Sequence, residues 1–156
     1  PSGRTAKEVD RRAVAGRPIT AMTGTPDGRI IAYGTMSGQL GLVEVARSGD
    51  SMTLSAPRVL TNLPSSTTAG VNWVDQVLLA PDNPRRLLMA VGQHTAYRAG
   101  VLQAWDIERG CLDGNVAATR PGTGLTCVAA CAEWLAIGTG NVLHRGDQEL
   151  GGTGMV

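Results

Sequence analysis

Three times along the chain, apolar runs of strand length alternate with turn residues in the same order. The first occurrence is Ile19-Thr20-Ala21-Met22, the turn Pro26-Asp27-Gly28, the run Ile31-Ala32-Tyr33-Gly34 and a return over 40–44. The second is Val77-Leu78-Leu79-Ala80, the turn Pro81-Asp82-Asn83-Pro84, a run over 88–92 ending in Gly92 and, after an insertion, a run over 101–106. The third is shorter: Leu125-Thr126-Cys127-Val128, a tight turn, and Leu135-Ala136-Ile137-Gly138. Pro fixes φ and Gly accepts positive φ, so Pro26-Asp27-Gly28 is a strong turn signal. Short strands and turns recurring with a period of roughly 40 to 60 residues predict repeated antiparallel sheets.

In detail, the pattern predicts strands over 19–25, 29–35 and 39–46 with an outer strand over 52–63. A second set covers 71–80, 86–92 and 101–107, with an outer strand near 115–119. A third covers 125–130, 134–138 and, weakly, 142–145. Ile30-Ile31-Ala32-Tyr33 does not alternate, which points to burial on both faces, as when one sheet is packed between two others. Residues 1–18 read as a polar lead-in or linker, 19–145 as the repeated unit, 65–70 as a loop, and 146–156 as a Gly-rich tail, a frayed end or linker.

At 156 residues the chain has the size of one ordinary domain, able to bury roughly 70% of its unfolded surface if it closes on itself. Aromatic content is 3% with no Phe, so the core must be filled by Leu, Ile, Val and Ala. A net charge of +1 implies no strong nucleic-acid field, and the only concentrated positive charge, Arg4 to Arg17, is diluted by Glu8 and Asp10. No membrane span and no secretory leader are read from the sequence. Three cysteines, an odd number, fit a reducing compartment, so an intracellular location, cytoplasmic or nuclear, is expected. The chain starts at Pro1 rather than Met, which is read as a processed chain or a segment of something longer.

These residues resemble the WD-repeat β-propeller family over about residues 19–145. Trp105-Asp106, preceded by Leu102 and followed by Ile107, matches the closing dipeptide of a repeat. Pro26-Asp27-Gly28-Arg29, followed by a strand ending in Ala32-Tyr33-Gly34-Thr35, matches the turn between its first two strands. The first repeat carries Val43-Glu44 in place of Trp-Asp, and the Gly-His opening is absent throughout. The aspartate usually found before the third strand is Ser37 in the first repeat and Ala99 in the second. The resemblance implies an all-β fold of antiparallel four-stranded blades, about three of them, with Asp27, Gly28, Gly34, Gly92, Trp105, Asp106 and Gly138 as structural repeat positions. Three blades do not close a ring, since propellers begin at about four. A second chain, a second copy or further blades must therefore complete it. A generic antiparallel sandwich fits the same strands and turns.

Little in the chain carries catalytic chemistry. Cys111, Cys127, Cys131 and His144 resemble a zinc set, but residues four apart on a strand lie roughly 13 Å from one another, too far to share one tetrahedral ion. There is no G-x-S-x-G elbow and no phosphate-binding glycine loop. No cofactor, no metal and no enzymatic activity are expected. The insertion over 93–100 places His94, Tyr97 and Arg98 on one loop, a combination suited to contacting a protein or peptide. Trp105 is read as packed against a neighbouring sheet rather than as an exposed anchor. The expected function is a non-enzymatic interaction scaffold within a multiprotein assembly, partnered by other protein subunits. The alternatives are a substrate-recruiting module of a ubiquitin ligase, or a propeller-based hydrolase. The first alternative rests on a resemblance of Trp105-Asp106 to a W-D-x-R pattern in which Arg109 falls one place late.

Overall fold

A computed structural model describes residues 10, 18–49, 51–62, 72–93, 100–119, 123–131, 133–145 and 148–155. Within them the chain is all-β, with every strand pairing antiparallel. The first sheet holds β1 (Ile19–Gly24), β2 (Ile30–Thr35), β3 (Gln39–Ser48), β4 (Ser51–Leu54) and β5 (Arg58–Asn62). The second is β6 (Asn72–Ala80), β7 (Asn83–Gln93), β8 (Val101–Asp106) and β9 (Cys111–Ala118), and the third is β10 (Gly124–Ala130), β11 (Leu135–Arg145) and β12 (Gln148–Met155). In the second and third sheets the spatial order follows the chain order, so each is a meander of hairpins.

The hairpins form where local chemistry closes them. Between β1 and β2, Asp27 Oδ1 accepts the Thr25 hydroxyl at 2.6 Å and the Arg29 N–H at 3.0 Å, while Gly28 takes φ 67°, a conformation open to glycine at no steric cost. In the second sheet the same job falls to Asn83, whose Oδ1 accepts the Arg85 N–H at 2.9 Å. Between β8 and β9, Asp106 Oδ1 accepts the Arg109 N–H at 2.8 Å and its carbonyl accepts the Gly110 N–H at 2.9 Å.

The sheets stack in chain order through their first strands, β1 and β2 meeting β6, and β6 and β7 meeting β10. Two apolar clusters fill the boundaries. One joins Ala32, Leu40 and Leu42 of the first sheet to Val74, Leu87, Met89, Trp105 and Ile107 of the second. The other joins Leu88, Leu102 and Ala104 of the second to Leu125 and Val128 of the third. Neighbouring residues thus go opposite ways: Leu87 and Met89 toward the first sheet, Leu88 toward the third, as a side-chain period of two dictates. The sheet with both faces covered by other sheets is the second. In the first sheet Ala32 and Tyr33 are nevertheless both buried, as the unbroken apolar run predicts.

Each first strand bulges near its start, and these bulges align; the pairing of β6 with β7 shifts a second time between Leu79 and Ala80. In β1 the register breaks at Thr20, in β6 at Asp75 and in β10 at Thr126. Ile19-Thr20-Ala21-Met22, Val74-Asp75-Gln76-Val77 and Leu125-Thr126-Cys127-Val128 are therefore equivalent. The second repeat starts at Val74, not at Val77, because an extra residue in a strand is a feature of pairing rather than of local pattern.

The same register corrects other expectations. Gly34 faces Ala21 and Gly138 faces Cys127, each just past a bulge, whereas the residue in that register on β7 is Ala90, and Gly92 lies opposite Trp73. The outer strand expected over 52–63 is two strands, with β4 on the C-terminal half of β3 and β5 on its N-terminal half. No separate strand covers 142–145: β11 runs on to Arg145, and the third strand of its sheet is β12, within the Gly-rich tail.

Candidate protein-interaction surfaces

His94, Tyr97 and Arg98 lie outside the described residues. The end of their loop is described: the Gly100 N–H donates to Thr119 Oγ1 at 2.7 Å and to the Thr123 carbonyl at 3.2 Å. The Thr119 hydroxyl donates to the same carbonyl. These bonds tie the β7–β8 loop to the crossing from the second sheet to the third. Thr119 and Thr123 also line an open cleft of about 550 Å³, with Ala117, Leu125, Ile137 and Thr139.

A second cleft, of about 260 Å³, opens between the same two sheets at the opposite strand ends. Its walls include Leu88, Val116 and Leu135, with Asp82, Arg86, Glu133 and Trp134 around them. Trp134 is 58% exposed and Val116 45%. Arg86 is paired through Nε to Asp113 Oδ2 at 3.0 Å, so the rim is held while the apolar wall stays open. A Trp beside a paired Arg over an apolar floor is the composition of an interface anchor. Residue type alone does not separate Trp134 from Trp105.

Trp105 and Asp106 divide their duties. The Trp105 ring is 6% exposed in the cluster between the first and second sheets. Asp106 caps the following turn and approaches Arg109 Nε at 3.8 Å. Both side chains serve the fold. Gly34 serves it too, since a Cβ there would overlap the Val74 side chain.

Among the described residues, no cluster of three or more His, Cys, Asp or Glu side chains could hold a metal ion. Cys111, Cys127 and Cys131 are free thiols. Among the described residues two titrations are perturbed. The Thr25 hydroxyl and then the Arg29 N–H hold the Asp27 carboxyl below its usual range, and burial pushes the Tyr33 phenol up. Asp27 is a turn residue at the surface, and Tyr33 is a core residue whose hydroxyl makes no hydrogen bond. Neither residue lines the two clefts described above.

No family model, curated protein or solved structure matches the chain. Among the described residues no helix is long and apolar enough to cross a membrane.

Proposed function

We propose that the chain is a section of a WD-like β-propeller that acts as a non-enzymatic scaffold, displaying clefts and loops to other proteins within a larger assembly. The observation that carries this reading is the gapless alignment of three bulged first strands, each the first strand of an antiparallel sheet stacked on the next. Repeats of this kind build rigid frames whose loops and sheet boundaries vary. The clefts between the second and third sheets supply the contact surface, with Trp134 as the anchor. An intracellular setting belongs to the same reading and rests on the three free thiols.

The test is affinity capture with the tagged chain, alongside Trp134→Ala and Val116→Arg variants whose circular dichroism is unchanged. The reading expects proteins captured by the parent chain to be lost from both variants. Identical capture by all three chains would remove the cleft from the reading.

A further inference from the structure

The aligned bulges allow each end of the stack to be compared with its own interior. Val74 and Val77 of the second sheet turn toward the first and are 0% and 4% exposed; Leu125 and Val128 of the third turn toward the second and are 0% and 4% exposed. Their counterparts on the first sheet, Ile19 and Met22, are 47% and 66% exposed. They are the same projections with no sheet in front of them among the described residues.

At the opposite end stands the matching seat. Where the first sheet receives the second, the Thr20 hydroxyl donates to the Val74 carbonyl at 2.6 Å and lies 3.4 Å from the Gly34 carbonyl, and Gly34 makes room for the Val74 side chain. The third sheet repeats these parts on its outer face. Thr126 occupies the same bulge and donates to the carbonyl of Gly138, the counterpart of Gly34, at 3.2 Å. Thr126, Cys127 and Ala129 are exposed there. Cys127 Sγ fills the space over Gly138 that the incoming Val74 takes over Gly34, so its thiol forms the floor of the seat and must swing aside for an incoming side chain.

We propose that two copies of this chain associate head to tail, with Ile19 and Met22 of one copy docking on the Thr126–Gly138 face of the other. This deepens the propeller reading and rests on it. A second copy is the fitting occupant because one chain carries both halves of the contact, and each half repeats an interface already built inside it. A contact between unlike surfaces propagates unless its rotation closes. Two copies of the three described sheets make about six, within the range of about four to eight blades over which propellers close. In that ring the Thr126 hydroxyl turns from Gly138 to the carbonyl of Ile19 of the second copy, as Thr20 does toward Val74. The net charge of +1 leaves little self-repulsion to overcome.

Light scattering on the size-fractionated full chain over a dilution series tests this. The expected mass is twice 16.2 kDa, falling to one copy for Ile19→Asp and for Thr126→Arg, each with an unchanged circular dichroism spectrum. Mixing the two variants restores association, because the pair retains one intact contact. Labelling of the unmodified protein with a thiol reagent supplies a readout independent of variants. Cys111 and Cys127 are both exposed on a single copy, and in the ring Cys127 reacts more slowly than Cys111 until dilution equalises them. A parent chain that stays a monomer at the highest concentration, co-purifies with a different chain on this face, or pairs regardless of both variants overturns the proposal. A monomer that still loses captured proteins on Trp134→Ala leaves the scaffold reading standing.

Discussion

The Thr20 hydroxyl donates a 2.6 Å hydrogen bond to the carbonyl of Val74, joining the first strands of two consecutive sheets across their apolar boundary. Val128 N–H does the equivalent at the next boundary, donating to Gln76 Oε1 at 2.6 Å. Each bond fixes the offset between sheets that dispersion alone would leave free to slide. Thr20→Val keeps the shape and removes the donor, taking one hydrogen bond from a part-buried carbonyl, and should cost about 0.5 to 1.5 kcal/mol. Thr20→Ser should recover most of the loss. Urea unfolding followed by circular dichroism reads both, and equal midpoints for Val and Ser would show that the bond contributes nothing.

Gly34 and Val74 make a second lock at the same boundary. A methyl group on Gly34 would overlap the Val74 side chain, and overpacking of this kind costs about 1 to 3 kcal/mol. Gly34→Ala should therefore destabilise, while the double change Gly34→Ala with Val74→Ala should cost less than the sum of the two single changes, because the methyl groups compete for one space. Additive losses in a double-mutant cycle would place the strain elsewhere.

The parts of this fold that show in the sequence are those set by nearest neighbours. The Asp27-Gly28 turn is readable because side-chain acceptor and positive φ act within a few residues. All-β character is readable because apolar runs of strand length follow one another between turns. The bulge at Asp75 is not, since it exists only in the pairing of β6 with β7, and without it the repeat pattern reads from Val77. β12 is hidden for a different reason: Gly151, Gly152 and Gly154 have poor strand propensity, and pairing with β11 overrides it. The candidate cleft is hidden as well, because the exposure of Trp134 and the burial of Trp105 are decided by neighbouring sheets rather than by flanking residues.

Those two tryptophans should respond oppositely to truncation. Trp105→Ala empties a site shared by the first two sheets and should cost about 3 to 5 kcal/mol, in the range of large core deletions. Trp134→Ala removes a ring that is 58% exposed, and its effect on stability should stay within about 0.5 kcal/mol. Denaturant unfolding of the two variants makes the comparison, and a large loss from Trp134→Ala would recast that side chain as part of the core.

Acid should loosen the first hairpin. The Asp27 carboxyl titrates below its ordinary 3.8 because the ionised form accepts from Thr25 and from the Arg29 N–H. The folded chain therefore binds fewer protons in that window, so this stability is present above 3.8 and is lost as pH falls through the lower folded value. Asp27→Asn preserves an acceptor, as Asn83 shows in the second sheet, and should flatten the local pH dependence. Carboxyl chemical shifts followed through the acid range decide it: an Asp27 midpoint at the ordinary value would contradict the hydrogen bonds that define the turn.

Tyr33 carries the sharpest test of the core. Its ring is 1% exposed, it covers Gly41 on the neighbouring strand, and its hydroxyl has no hydrogen-bond partner. A buried hydroxyl left unpaired costs about 1 to 3 kcal/mol of desolvation, so Tyr33→Phe should hold or raise stability, opposite in sign to most core substitutions. Burial also raises the phenol above its ordinary 10.0. The neutral form is favoured in the fold, so this contribution is complete below 10.0 and is lost as pH rises through the folded value. The Phe variant lacks that alkaline loss. Urea midpoints of the two proteins should therefore be closest at neutral pH and separate as the solution becomes alkaline. A Phe variant clearly weaker at neutral pH would mean that the hydroxyl is held by a partner, and the packing over Gly41 would have to be reconsidered.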